Sequence, residues 1–233
     1  MVNQSAEKIL NTRVCACECI LTVLSSPCAA SLASVDLLHS VYTDPGLFSS
    51  DSVLLSLSPL LLSHVFYLPL MRGLITSAGG VSEGTSRVAI QGILEYLESV
   101  DESDEKVDEV LEVFADMLNE SLIRLSLSAL RVLPRILGNI RSIEEYPDKC
   151  QPLNRIAQKM VKVAANAKNP VWSRLALETC ASLLGVNRDS QIWRICAENC
   201  VRGLNSPVPA IRRSAAEGLY EGLCVAGHVD EDV

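Results

Sequence analysis

The stretch GGVSEGTS, from Gly79 to Ser86, has residue types and spacing that could bind a phosphate group. Gly79 and Gly84 stand at the spacing of the glycines in a G-x-x-x-x-G-K-[ST] phosphate loop, and Ser86 fills the hydroxyl position. Thr85 stands where that motif needs the lysine that meets the phosphates. A helical pattern with an internal proline, rather than a strand, precedes the loop. The sequence therefore argues against a nucleotide site here.

A turn between two helices explains the same residues. Gly79 and Gly80 are predicted to adopt left-handed conformations that end one helix. Ser82 is predicted to cap the next helix, and Glu83 follows in its first turn, where a negative charge is favourable.

The cysteines are the second group that could do chemistry. Nine cysteines is an odd number without a disulfide-framework spacing, which indicates a reducing compartment. Cys15, Cys17 and Cys19 lack a second pair of ligands at zinc-finger spacing. The favoured interpretation is a helix in which Cys15 and Cys19 pack inward on one face, with Cys196 and Cys200 also in the core. We predict no catalytic residue, no cofactor or metal site and no enzyme activity, because no nucleophile and base are paired by sequence.

The charge distribution points to protein partners. A net charge of −8 disfavours nucleic acid, whose recognition requires an excess of Lys and Arg. Ten carboxylates between Glu95 and Asp116 accompany one lysine, Lys106, and form either a solvated surface or an acidic rim for a basic partner. A second cluster, of arginines, could form a basic edge. The candidate partner-binding residues are Glu102, Asp104, Glu105, Arg194, Arg202, Arg212 and Arg213.

The composition, 48% apolar but only 4% aromatic, predicts an all-α protein. The uncharged run from Ser52 to Met71 is long enough for one bilayer crossing. Pro59, Pro69 and several serines interrupt it, so a helix enclosed by its neighbours is the favoured interpretation, with a membrane span as the alternative.

An internal repeat gives the architecture. Arg87, Arg124, Arg174 and Arg213 are each followed two positions later by a small residue, at separations of 37, 50 and 39 residues. This spacing is typical of HEAT or armadillo helix pairs, provided that the longest interval carries an insertion. We predict a helical-repeat solenoid forming a single domain over residues 1–233, with the assignment weakest for residues 1–46.

Two motifs resemble the tubulin-folding cofactor D family. The segment GLITSAGGVSEGTSR, from Gly73 to Arg87, is similar to the G-L-x-x-S-x-G-G-[LV]-[ST]-E-x-[ST]-x-R pattern of that family's C-terminal domain. The segment PAIRRSAAEGLYE, from Pro209 to Glu221, is similar to its P-x-I-R-[RK]-x-x-A-x-x-[LV]-Y-E stretch. The resemblance implies that this chain is the C-terminal part of a longer HEAT-rich chaperone.

The same resemblance implies a function. Such a protein captures β-tubulin, assembles αβ-tubulin heterodimers together with cofactor E and cofactor C, and works with an Arf-like small GTPase. GTP hydrolysis would occur in tubulin, where the protein would support GTPase activation together with the other cofactors. The protein would be cytoplasmic and associated with the cytoskeleton. The repeats alone leave a generic HEAT-repeat scaffold or transport adaptor as the alternative.

Overall fold

Every regular element in the described part of the chain is helical. The computed structural model describes residues 1–7, 9–32, 34–100, 104–119, 123–140, 147–166, 169–186 and 188–225. Those residues contain α- and 3-10 helices and no strand, so the all-α prediction is confirmed. The chain divides into two compact units, residues 1–101 and residues 102–233. The single-domain assignment stays a prediction.

The first unit contains helices of very different lengths. Its two 3-10 helices, Pro27–Ser31 and Pro45–Ser49, each begin with proline, whose missing N–H is harmless at that position. Two long consecutive helices, at His64–Ala78 and Glu83–Ser99, pack against each other across the turn at residues 79–82. The α-helices of this unit are α1 (Val2–Ser5), α2 (Leu10–Leu24), α3 (Val35–Val41), α4 (Val53–Ser56), α5 (Ser58–Leu61), α6 (His64–Ala78) and α7 (Glu83–Ser99).

The apolar run from residue 52 to residue 71 is not one enclosed helix, so that prediction is wrong. It is divided among α4, α5 and the first half of α6, and Pro59 lies in the first turn of α5. Leu62, Val65 and Leu68 expose much of their side chains, whereas Leu54, Leu57 and Leu60 are fully buried. Within the described residues, no helix combines the length and apolarity that crossing a bilayer would take.

The second unit is built from longer helices of similar size. Its short 3-10 helices are Pro147–Lys149 and Leu183–Gly185. The α-helices are α8 (Asp104–Asn119), α9 (Ile123–Leu137), α10 (Gln151–Asn166), α11 (Pro170–Ser182), α12 (Gln191–Leu204) and α13 (Pro209–Val225).

These six helices pack in two layers. Helices α8, α10 and α12 pack against one another in sequence, and so do α9, α11 and α13. Each helix of the first layer also packs against the helix that follows it in the chain. Stacked helix pairs of this kind are the architecture of HEAT and armadillo repeats, so the predicted helical-repeat fold is confirmed.

The repeated Arg-x-small pattern has one structural meaning throughout. Each small residue is buried between helices: Ala89 in α7, Ser126 in α9, Ala176 in α11 and Ala215 in α13. The arginine two positions earlier is exposed in every case. A small side chain lets the neighbouring helix approach closely, while the long arginine extends its charge into solvent.

A buried serine joins the two helices of a pair in three places. Ser126 of α9 donates to the carbonyl of Met117 at 2.9 Å, and Ser173 of α11 donates to Ala164 at 3.3 Å. In the first unit, Ser86 of α7 donates to the carbonyl of Ala78. Each serine satisfies a carbonyl in the last turn or so of the preceding helix, where carbonyls lose their partners within the helix.

The longest interval of the repeat, between Arg124 and Arg174, lies partly outside the described residues, but Asp148 shows how one part of it is fixed. The Asp148 carboxylate accepts hydrogen bonds from the backbone N–H groups of Gln191 and Ile192, at 2.8 and 3.1 Å. Ser190 caps the same helix end, accepting from Trp193 N–H at 3.0 Å. The N-terminus of α12 is therefore held by a residue more than forty positions earlier in the chain.

Candidate partner-binding site

The segment from residue 73 to residue 87 packs closely against the N-terminal residues of the chain. We refer to this segment as the clamp. A Cβ added to Gly73 would lie 2.7 Å from the Asn3 side-chain oxygen and 2.9 Å from the Ala6 Cβ, so only glycine leaves room for this segment. Ser77 donates a hydrogen bond to the Ala6 carbonyl. Tyr42 adds a hydrogen bond from its hydroxyl to Ser5 Oγ at 2.9 Å.

The second half of the same segment reaches a buried ion pair. Ser82 caps α7 as predicted, accepting from the Thr85 N–H, and Glu83 lies in the first turn. The Thr85 hydroxyl donates to one carboxylate oxygen of Asp51 at 2.9 Å. The other oxygen accepts from Arg13 at 2.9 Å.

Arg13 is satisfied at all three guanidinium nitrogens. Besides Asp51, it donates to the carbonyls of Phe48 and Glu7, both at 3.3 Å. Its side chain is only 1% exposed, so each donor requires such a partner. Together, Arg13 and Asp51 connect α2 to the start of α7.

The turn does not leave its glycine N–H groups available to a phosphate. The Gly79 N–H donates to the Ile75 carbonyl and the Gly80 N–H to the Ser77 carbonyl, both at 3.0 Å. Gly79 has φ −79° and ψ 4°, so the prediction of a left-handed conformation is wrong for this residue. The helix ends instead in a tighter turn, in which the Gly80 N–H bonds to the carbonyl three residues earlier. This turn needs no positive φ at Gly79.

The N-terminal cysteines face the opposite way from the prediction. Cys17 is buried, whereas Cys15 and Cys19 are exposed. The prediction that Cys15 and Cys19 pack inward is therefore wrong. Helix α2 has a single buried stripe, spaced three or four residues apart and anchored by the Arg13 ion pair, and Cys15 and Cys19 fall outside it. The buried residues of α2 are Arg13, Ala16, Cys17, Ile20 and Leu24.

Cys196 and Cys200 are core residues, as predicted. They meet a third buried thiol, Cys180 of α11, whose sulfur accepts a hydrogen bond from the Asn199 amide at 3.3 Å. Burial raises the pKa of Cys200 to about 12, so this thiol is protonated at neutral pH. Among the described residues, no group of three His, Cys, Asp or Glu side chains could hold a metal ion.

The four candidate arginines lie on the last helix pair of the second unit, and most of them already have a hydrogen-bond or ion-pair partner. Arg202 pairs with Glu198 at 3.1 Å, and Arg213 pairs with Glu217 at 2.7 Å. Arg212 donates to the backbone carbonyls of Ser206 and Pro207. Arg194 is exposed and forms no ion pair with the described residues. Two of the four candidate arginines therefore pair with carboxylates of their own helices.

The candidate acids are only partly placed. Glu102 lies outside the described residues, Asp104 is the first residue of α8, and Glu105 is exposed on that helix. Farther along α8, Lys106 pairs with Glu109 at 2.8 Å, and Glu112 pairs with Arg155 of α10. The acidic face of α8 thus contributes to packing within its own unit as well as to the surface.

A groove that the sequence did not predict runs along the second layer of helices. It has a volume of about 540 Å³ and brings together Glu178 of α11 with Glu217 and Glu221 of α13. Burial raises the pKa of Glu178, and the nearby Arg174, at 3.6 Å, partly opposes that shift. The repeated Arg-x-x-x-Glu spacing of residues 174–178 and 213–217 was the available signal. Small residues form much of the remaining lining, including Gly138, Ala181, Ser182, Ser214, Gly218 and Gly222.

An apolar stripe lies on the surface of the first unit. Leu62, Val65 and Leu68 are 65%, 55% and 47% exposed, with Val65 and Leu68 about one helical turn apart on α6 and Leu62 two residues before that helix begins. Exposed aliphatic side chains grouped in this way are typical of protein contact surfaces. We refer to these three residues as the apolar stripe.

Comparison with known proteins gives a family and a distant structural likeness. The crystal structure of an engineered protein aligns with 97% of this chain and 83% of its own, with 16% sequence identity and a TM-score of 0.47. The family described as tubulin folding cofactor D C terminal matches residues 1–169.

The family match includes the clamp formed by residues 73–87 and extends back through residues 1–46, where the sequence motifs were weakest. The second motif, at residues 209–221, lies beyond the matched range. The match covers well over half of the chain, and the clamp motif lies inside it. The chain belongs to the tubulin folding cofactor D C-terminal family.

Proposed function

We propose that this chain is a binding module of the tubulin-folding machinery that holds β-tubulin during assembly of the αβ-tubulin heterodimer. The observation that carries the proposal is the family match over residues 1–169. The stacked helix pairs support it, because repeat folds offer extended surfaces that suit a large protein partner.

The mechanism is a shift of binding equilibria rather than covalent chemistry. The module stabilises a form of β-tubulin that it binds, and it releases tubulin when another partner changes the relative affinities. Cofactor E, cofactor C and an Arf-like small GTPase are the proposed partners, with GTP hydrolysis taking place in tubulin. The proposed location is the cytoplasm, in association with the cytoskeleton.

Two surfaces are proposed to make the partner contacts. The apolar stripe offers apolar surface that a partner would cover. The groove of the second unit that contains Glu178, Glu217 and Glu221, here called the acidic groove, suits a basic segment of the partner through charge complementarity. Arg194 and Glu105 are exposed charges that would affect the rate of association more than the final affinity. Asp104, Arg202, Arg212 and Arg213 complete the proposed set, together with Glu102.

The test is direct binding of the purified chain to purified β-tubulin and to the Arf-like GTPase, measured by pull-down and by biolayer interferometry. We expect binding of β-tubulin in the micromolar range or tighter. Absence of binding to both partners at micromolar concentration would contradict the proposal for this chain.

A generic helical-repeat scaffold is the second candidate function. It is favoured by the helices beyond residue 169, since α11 to α13 continue the two-layer packing outside the family match. Affinity capture followed by mass spectrometry separates the two candidates. Tubulin among the captured partners supports the folding module, and reproducible capture of other proteins without tubulin supports the scaffold.

A further inference from the structure

Two exposed thiols lie together in a surface depression of the first unit. Cys15 and Cys19 stand one helical turn apart on α2, and both side chains are exposed. The depression has a volume of about 490 Å³, and the Met1 side chain lines it beside both cysteines. Gln4, Asn11 and Thr12 add polar atoms to the same wall. Three sulfur-bearing side chains therefore share one accessible site.

The two thiols influence each other electrostatically. The pKa of Cys15 is raised, chiefly by the negative charge of Cys19 and then by their hydrogen bond. Two neighbouring thiolates repel each other, which disfavours loss of both protons. A cation bound by both sulfurs would offset that repulsion and favour the deprotonated form of both cysteines.

The ligand set selects the kind of cation. Thiolate and thioether sulfurs are soft donors that favour Cu(I), which accepts a low coordination number with them. A structural zinc ion would need a four-ligand set. The described residues offer no group of three His, Cys, Asp or Glu side chains for it. Cys17 cannot serve as a further ligand, because it belongs to the buried stripe of α2, away from Cys15 and Cys19.

We propose that Cys15 and Cys19 form a binding site for one thiophilic monovalent cation, Cu(I), on the surface of α2, with the Met1 thioether beside it. The site does not depend on the proposed tubulin function, since neither cysteine belongs to the apolar stripe or the acidic groove. Binding releases the thiol protons, so the apparent affinity for Cu(I) rises as the pH rises.

The test is a competition titration of the full chain against bicinchoninate with Cu(I) under anaerobic, reducing conditions. We expect one tight equivalent in the unsubstituted protein. Cys15→Ser and Cys19→Ser should each weaken that equivalent by at least about tenfold. Cys28→Ser is the matched control, because Cys28 is also an exposed cysteine but lies on the next helix, and it should retain the full affinity.

A second measurement uses the unsubstituted chain. Cu(I) at one equivalent should protect Cys15 and Cys19 from iodoacetamide, as read by peptide mass spectrometry, while Cys28 remains equally reactive. The proposal is overturned if Cys15→Ser and Cys19→Ser bind as tightly as the parent, or if Cys28→Ser loses as much affinity as they do. Equal protection of all three cysteines would also overturn it.

Discussion

Arg13 donates a hydrogen bond to Asp51 at 2.9 Å, and the Thr85 hydroxyl binds the same carboxylate, so Asp51 links the start of α2 to the first turn of α7. The guanidinium is 1% exposed, whereas the carboxylate is 36% exposed and also accepts from Thr85. Residues 73–87, which carry the sequence motif of the family, thus have a structural role. Their contacts position the N-terminal helices.

Asp51→Asn should destabilise the protein by about 2–3 kcal/mol, because it leaves the buried Arg13 charge without its counter-ion. Partial exposure of Asp51 keeps the loss toward the lower end of the range for buried pairs. Urea unfolding followed by circular dichroism measures the change. Asp36→Asn, at an exposed aspartate of α3, is the control, and equal midpoints for the two variants would refute the assigned role.

Ser126→Ala should lower the free energy of unfolding by about 1–2 kcal/mol. The substitution removes the donor to the buried Met117 carbonyl and leaves that carbonyl unsatisfied. Ser182→Ala is the matched control, since the Ser182 hydroxyl donates to the Thr179 carbonyl within its own helix. Chemical denaturation in parallel compares them, and a loss in Ser182→Ala as large as in Ser126→Ala would count against the inter-helix bond.

Gly218→Ala should destabilise the second unit by about 1–2 kcal/mol, although alanine is the better helix former. The added Cβ would lie 2.7 Å from the Ala181 Cβ, so α13 must move away from α11. Gly138→Ala is the control, because its added Cβ meets nothing closer than 3.4 Å. Thermal unfolding should show a lower Tm for Gly218→Ala alone, and unchanged melting would contradict the close approach.

Loss of the Tyr42 hydroxyl proton should lower the free energy of unfolding at strongly alkaline pH. Burial raises the pKa of Tyr42 from 10.0 to about 12, and only the hydrogen bond to Ser5 opposes that shift. Because the folded protein retains the proton longer than the unfolded chain, the stabilisation is complete below pH 10 and is lost between pH 10 and about 12. The loss amounts to about 3 kcal/mol.

Tyr42→Phe should flatten the dependence of unfolding free energy on pH across that interval. Urea titrations at several pH values measure it, with Tyr220→Phe as the control, since Tyr220 is exposed. The same slope in Tyr42→Phe as in the parent would show that another group is responsible.

Val65→Ser and Leu68→Ser should weaken binding to β-tubulin by about tenfold each, with little effect on stability, because both side chains are largely exposed. Ile123→Ser is the matched control, since Ile123 is another exposed aliphatic residue outside the apolar stripe. Biolayer interferometry gives the Kd. If both stripe variants bind β-tubulin as tightly as the unsubstituted protein does, the apolar stripe is not the contact surface.

Much of the fold was accessible from the sequence because its signals are local. Helical periodicity and the Ser82 cap each act within a few residues, and the structure has both as predicted. The Arg-x-small repeat also succeeded, since a position buried between stacked helices tolerates only a small side chain. Local patterns did not predict which face of a helix is buried or where a helix is interrupted, as the run from residue 52 to residue 71 shows.

What the sequence determined, then, was the helices, their repeat and the family, all of which follow from spacing along the chain. The tertiary structure alone decided that Arg13 pairs with a carboxylate 38 residues away, and that Cys17 rather than Cys15 and Cys19 faces the core. It also decided that Glu178 and Glu217 line one groove. These features depend on which helix surfaces meet, and that choice is made by packing and burial over the whole unit rather than by any one segment.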